Sequence, residues 1–236
     1  MPIILHPSSE RKTEQKNGMI SLMTFDDEHS NPELTNFGLM VRLNDVRYSS
    51  SDETPDFVMM KNMEIIHIVI EGGMRYFDSS GNEGLIQPNI SKLLSAGKGI
   101  YSGLKRIETI DSARIIEIQI LPDKMNKSTR HEHRLFDVRF RENDFQLIAA
   151  PEGVQQSLPI AQNAFISIGK FDAERVVRYS TKNETHGMYF YLISGSLTIG
   201  GLKVLSGDGV GISDFDRVEF KTETASEIIV IELPMN

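Results

Sequence analysis

The sequence predicts an all-β protein made of two tandem β-barrels. Three observations lead there: alternation of apolar residues with period two, turn clusters at short and regular spacing, and a repeat at domain length. Ala113-Arg114-Ile115-Ile116-Glu117-Ile118-Gln119-Ile120 puts Ile116, Ile118 and Ile120 on one face and Glu117 and Gln119 on the other, the signature of a half-buried strand. Glu227–Leu233 is rich in β-branched residues and stops at Pro234, which suits a terminal strand. Asp78-Ser79-Ser80-Gly81-Asn82 and Ser206-Gly207-Asp208-Gly209 are turn clusters between such runs. Ile66–Tyr76 parallels Tyr189–Ile199, each an apolar strand turning at a glycine into a second strand, and Gly72 and Gly195 lie 123 residues apart. Repetition at that length is what two tandem barrels leave in a sequence.

Taken in order, the chain begins with a short apolar run (Met1–His6) followed by a polar stretch, Ser8–Asn17, that reads as a loop prone to disorder. A second polar loop spans Ser49–Asp56. Long helical patterns are absent, and only Gln87–Leu94 reads as a short helical turn. The first domain is expected at 1–122. The polar span 123–144, with Lys124, Lys127, Arg130, His131, His133 and Arg134, reads as a solvated linker, and 145–236 as the second domain.

Composition bounds the function. The chain has 236 residues, a formal net charge of −8 and no cysteine. The last point excludes disulfides, thiolate metal sites and a cysteine nucleophile. The acidic balance argues against nucleic acid as a partner, because phosphate binding needs clustered Lys and Arg. Met1–His6 is too short for a signal peptide, and no apolar stretch reaches membrane-spanning length. No membrane role is expected, the cytoplasm is the expected location, and a monomer the expected state. Phosphate-binding loops, Gly-x-Ser-x-Gly elbows and His-Glu-x-x-His pairs do not occur. Ser95-Ala96-Gly97-Lys98-Gly99 lacks the Walker spacing and reads as a turn, and the eleven methionines read as core fillers.

Several segments together resemble the pirin family, which includes pirin-like quercetinases. They are Phe57–Ile66 running into Val69-Ile70-Glu71-Gly72, then Asp78–Asn82, and Ser95-Ala96-Gly97-Lys98-Gly99-Ile100-Tyr101-Ser102-Gly103-Leu104. Gly18–Phe25, Phe37–Asp45, Ile118-Gln119-Ile120-Leu121-Pro122 and Leu147–Gly153 extend the likeness over nearly the whole chain, while Pro88-Asn89-Ile90 departs from the usual Pro-Gly-Asp. The resemblance implies a bicupin, two tandem double-stranded β-helix (cupin) barrels, whose first barrel holds a divalent metal such as iron through three histidines and a glutamate. Those four positions read Val58, Met60, Ser102 and Leu104 here, none of them a usable ligand for iron, manganese or zinc.

Positions 58 and 60 share a strand face, as do 102 and 104, and in a cupin that face is the barrel interior. The expectation is an apolar plug of Val58, Met60 and Leu104. The competing expectation is an open pocket with Glu64 and Tyr101 as its polar groups. Glu64 is expected either as a lone acid or ligand anchor in that pocket, or as a partner of backbone amides or of a nearby Arg or Tyr. His67 is on the opposite parity and is expected to face away. In the second copy, Thr181 and Asn183 stand at the corresponding positions with His186 nearby, a lone histidine without a ligand partner. Three functional readings remain: a metal-free binding or regulatory module taking a protein partner or a small apolar ligand; a quercetin 2,3-dioxygenase-like oxygenase; and a structural relic.

Overall fold

Apolar residues at every second position give strands, and the glycines at their ends give tight reversals. A computed structural model describes residues 3–16, 18–26, 31–49, 57–154 and 156–235. The first half contributes β1 (Ile3–His6), β2 (Lys12–Lys16), β3 (Met19–Met23), β4 (Met40–Tyr48), β5 (Val58–Met60) and β6 (Glu64–Glu71). It continues with β7 (Met74–Asp78), β8 (Glu83–Ile86), β9 (Ile90–Ser95), β10 (Ile100–Arg106), β11 (Ala113–Ile120) and β12 (Arg130–Leu135). The second half contributes β13 (Phe145–Pro151), β14 (Leu158–Ile160), β15 (Phe165–Phe171), β16 (Val176–Ser180) and β17 (His186–Ser194). The last strands are β18 (Ser196–Ile199), β19 (Leu202–Leu205), β20 (Gly209–Ile212), β21 (Arg217–Thr222) and β22 (Ser226–Pro234).

Each barrel pairs a seven-stranded sheet with a four-stranded one. The first uses the order β12-β9-β6-β11-β4-β3-β2 against β5-β10-β7-β8, and the second β1-β20-β17-β22-β15-β13-β14 against β16-β21-β18-β19. The predicted repeat is visible at Gly72 and Gly195, which join β6 to β7 and β17 to β18 with φ of +73° and +93°. A β-carbon at Gly195 would lie 2.4 Å from the Ala225 carbonyl oxygen, so both the backbone angle and the space require glycine there.

The structure redraws the expected partition at four points. The N-terminal β1 does not join the first barrel; it pairs with β20 of the second, Leu5 opposite Val210. The polar stretch after Ser8 is ordered as a 3₁₀ turn (Ser8–Glu10) and then β2, which pairs with β3 from Lys12–Met23 to Lys16–Met19. Its side chains are all exposed and it has no apolar alternation, so the pairing rests on backbone hydrogen bonds at a sheet edge, with lysines guarding that edge. Residues 130–135, expected within a linker, form β12 and extend the first sheet by pairing with β9. Gln87–Leu94 is a turn, closed by Ile90 N donating to Gln87 O at 2.8 Å, followed by a strand rather than a helical segment. The loop expected at Ser49–Asp56 falls, beyond Ser49, outside the described residues.

The largest apolar cluster lies between the barrels. Ile66, Ile68, Leu93, Ile116, Ile118 and Ile120 of the first pack with Ile148, Ile166, Ile168, Ile229, Ile231 and Leu233 of the second. The alternation in β11 was therefore correct, but its apolar face points to the partner barrel. A polar clasp crosses the same seam: Asp45 accepts two bonds from Arg114 (3.0 and 2.7 Å) and one from Tyr191 Oη (2.7 Å). Burial pushes the Asp45 carboxyl up, but the Arg114 guanidinium and the Tyr191 hydroxyl outweigh it and hold it below its ordinary range. The lumen of the second barrel is packed with apolar side chains, among them Phe171, Met188, Phe190, Leu192, Phe220 and Val230.

Candidate functional site

The lumen of the first barrel is divided. At one end Ile65, Leu94, Ala96 and Ile100 form an apolar cluster, with Met60 and Met63 packed on it. At the other end Val46, Tyr48, Val69, Met74, Tyr76, Ile86, Ala113 and Ile115 form a second, with Leu104 packed on it. The expected plug of Val58, Met60 and Leu104 does not exist. Met60 and Leu104 belong to opposite ends, and Val58 is 46% exposed. The physical reason is register: Met60 pairs with Ile100, Val58 with Ser102, and Leu104 with Tyr76 of the next strand. The four positions share one wall face but occupy three levels along it.

The level between the two clusters is polar. On the seven-stranded wall, direct cross-strand partners run Asn44, Glu117, His67, Lys92 and His133, one row across β4, β11, β6, β9 and β12. Direct partners share a face and stand ~5 Å apart, so this row is a continuous polar belt. On the facing wall the same level holds Val58, Ser102 and Asp78, again as direct partners. We call this level the waist.

His67, expected to face away, is buried inside it; Ile65 and Val69, which share its strand face, belong to the two lumen clusters. Its Nε2 lies 3.0 Å from Glu117 Oε2. Glu117 Oε1 accepts from Asn44 Nδ2 (3.1 Å) and Gln119 Nε2 (2.8 Å). Burial pushes the Glu117 carboxyl up, but these donors, His67 first among them, outweigh it and keep it ionised. Burial holds His67 below its ordinary range and so neutral. The bond to the carboxylate places the His67 proton on Nε2. Its Nδ1 is left as a buried acceptor without a hydrogen-bond partner, as is Asn44 Oδ1.

Lys92 is the unusual member, 2% exposed. Its ammonium stands 5.0 Å above the Tyr76 ring centroid, a cation–π contact worth ~1–2 kcal/mol when desolvated. Burial pulls its pKa down to about 8, against the raising effect of Asp78 and Glu117. Neither acid is available as a close partner. Glu117 is committed as above, and Asp78 accepts from Ser80 N, Asn82 N and Asn82 Nδ2 in the β7–β8 turn. Tyr76 Oη reaches His133 Nδ1 at 3.4 Å, and the Tyr76 ring lies 5.6 Å from that of His131. His131 and His133, expected on a solvated connector, thus line the open side of this wall. The signal for the belt was present in the sequence: β6 and β9 each embed one ionisable residue at an apolar parity, Ile65-His67-Val69 and Ile90-Lys92-Leu94.

The expected pairing of Glu64 with Tyr101 also fails. Tyr101 points outward from β10 and is exposed, opposite Met59. Glu64 projects from the other face of β6 into a cleft of about 730 Å³ between the barrels, shared with Ser95, Lys124, Lys127, Arg130 and Gln162. Its Oε2 accepts from Ser95 Oγ (2.8 Å) and from the Ala161 amide (3.1 Å), which is the backbone-partner alternative. Burial raises its carboxyl above the ordinary value. In the second barrel, His186 is not an isolated histidine. Its Nδ1 meets buried Glu232 at 3.2 Å, and that carboxylate also accepts from Tyr179 Oη and from the Lys182 and Asn183 amides. This is a satisfied cap over the 181–185 turn; Thr181 bonds the Asp216 carbonyl, and the Asn183 side chain accepts from Thr185 within the turn. Among the described residues, no three His, Asp or Glu side chains converge to hold a metal ion, and no helix is long and apolar enough to cross a membrane.

Comparisons with known proteins agree with this architecture. The Pirin family model matches residues 12–120, and the model for the quercetinase C-terminal cupin domain matches 147–233. A quercetin 2,3-dioxygenase of Escherichia coli K12 is 26% identical over 184 residues, 74% of each chain. A pirin-like protein of Caulobacter vibrioides is 24% identical over 172 residues, 72% of this chain and 73% of its own. The crystal structure of YhhW from Escherichia coli superposes with a TM-score of 0.90 at 24% identity, covering 98% of this chain and 97% of that one. The same bacterial pirin in complex with nickel(II) gives 0.88, covering 98% and 99%.

Proposed function

This chain belongs to the pirin family, as a bicupin, and from that premise we propose that it is a metal-free member that works by binding rather than by oxidation. The observation behind this reading is the residue set at the family's ligand positions, Val58, Met60, Ser102 and Leu104. Two hydrocarbons, a thioether and a hydroxyl do not make a site for a divalent ion that prefers imidazole and carboxylate. The ammonium of Lys92, within the same lumen, adds repulsion toward any second cation. A relative solved with nickel(II) holds an ion that these residues do not fit.

The dioxygenase activity named for relatives is the other reading, and it needs an ion at this level. Elemental analysis of the purified protein, with oxygen uptake measured in the presence of quercetin, separates the two. Metal well below one ion per chain and no uptake are expected. Near-stoichiometric iron, nickel or manganese that resists chelator, with quercetin-dependent uptake, would overturn the proposal. Acting as a monomer on a small ligand is the simplest form of the proposal. The protein partner of a regulatory role carries no recognisable motif in this chain.

A further inference from the structure

We propose that the waist of the first barrel is a binding site for a small 2-hydroxycarboxylate, its carboxylate paired with the Lys92 ammonium and its hydroxyl donating to His67 Nδ1. The proposal deepens the metal-free reading and rests on it. It starts from unmet hydrogen-bonding capacity. Lys92 offers three donors, is 2% exposed and has no hydrogen-bond acceptor among the described residues. His67 Nδ1 and Asn44 Oδ1 are buried acceptors on the same belt without donors. Buried polar groups are normally satisfied, and a cluster that is not points to a missing occupant.

The chemistry of the gaps defines the occupant. The unmet cation calls for an anionic oxygen, because the two nearby carboxylates are each engaged by three other donors and neither hydrogen-bonds to the ammonium. The unmet acceptor one strand away, at the directly paired position His67, calls for an O–H. An oxygen anion and a hydroxyl held on adjacent carbons meet both demands with one small molecule. A purely apolar ligand meets neither, which revises the apolar class expected from the ligand positions alone. The facing wall offers the short side chains Val58 and Ser102 at this level, and Val58 and His133 are the exposed members of the two walls there.

The site is also costly to keep. A buried ammonium without an acceptor destabilises the folded chain, and a local arrangement that costs stability is characteristic of a functional site.

The test is titration calorimetry of the full chain in chelator, using glycolate and lactate against acetate, with metal content measured on the same sample. Glycolate is expected to bind saturably with a Kd of about 10 mM or tighter, and acetate, lacking the hydroxyl, several-fold more weakly. Lys92→Met is expected to lose at least tenfold in affinity while keeping its β circular dichroism. His67→Gln, which preserves a donor to Glu117, is expected to shrink the preference for glycolate over acetate. Absence of saturable binding, or unchanged affinity in a folded Lys92→Met, would overturn the site. A stoichiometric metal in the sample, with binding abolished when it is stripped, would overturn the metal-free reading instead and is read independently.

Discussion

Replacing Lys92 by methionine keeps an unbranched stem of similar length in the lumen and removes only the charge. Burial brings the Lys92 pKa from 10.5 to about 8, a shift worth ~3 kcal/mol at 1.4 kcal/mol per unit. The sign follows from proton counts. Between about 8 and 10.5 the folded protein has released the Lys92 proton while the unfolded chain still holds it, so stability rises with pH across that window. Below pH 8 the penalty is present in full. Of the groups facing Lys92, the donors to Glu117 hold it ionised, burial keeps His67 and His131 neutral, and burial raises Tyr76 above its ordinary range. Lys92 is therefore the group that titrates there. Against the ~3 kcal/mol stands the lost contact with the Tyr76 ring, ~1–2 kcal/mol. Lys92→Met is expected to be more stable than wild type at pH 7 by ~1–2 kcal/mol, a few degrees in Tm for a chain of this size. The gap should close or reverse by pH 10.5. Urea unfolding of both proteins at pH 7 and pH 10.5, with linear extrapolation, measures this. A variant less stable than wild type at pH 7, or a gap independent of pH, would refute the buried-cation argument.

Other expectations follow from the same structure. Met60→Ala should cost only ~1 kcal/mol in urea unfolding, because Met60 sits half-buried on the rim of one cluster, whereas Phe190→Ala in the filled second lumen should cost ~3–5 kcal/mol. Gly195→Ala should cost ~2 kcal/mol or more by the same measurement, since its φ of +93° and the Ala225 carbonyl both oppose a β-carbon. Glu64→Gln should remove the part of the pH dependence in which stability falls as pH climbs above about 4.5, because the folded chain holds the Glu64 proton more tightly than the unfolded one; a denaturation series from pH 4 to 7 checks it. Installing His at 58, 60 and 102 and Glu at 104 should yield weak nickel binding by calorimetry, improved ~10-fold when Lys92→Met is added, since the ammonium repels the ion.

Much of the architecture was written locally in the sequence. Period-two alternation in Ala113–Ile120, the turn at Asp78–Asn82 and the Gly72–Gly195 repeat each depend on a few adjacent residues, whose backbone preferences and side-chain parity specify strands and reversals before any long-range contact forms. That Val58, Met60, Ser102 and Leu104 share one wall face was legible for the same reason, since residues two apart on a strand face the same way. What occupies the lumen was not legible. Alternation reports two faces but not which one a barrel encloses, and here Ile116, Ile118 and Ile120 meet the second barrel while Glu117 turns inward with His67 and Lys92. The belt joins five strands far apart in the chain, from Asn44 to His133, so only the closed sheet could assemble it. The N-terminal strand follows the same logic: nothing in Ile3–His6 names its partner, and it pairs with β20 because that edge of the second sheet was open to backbone hydrogen bonds.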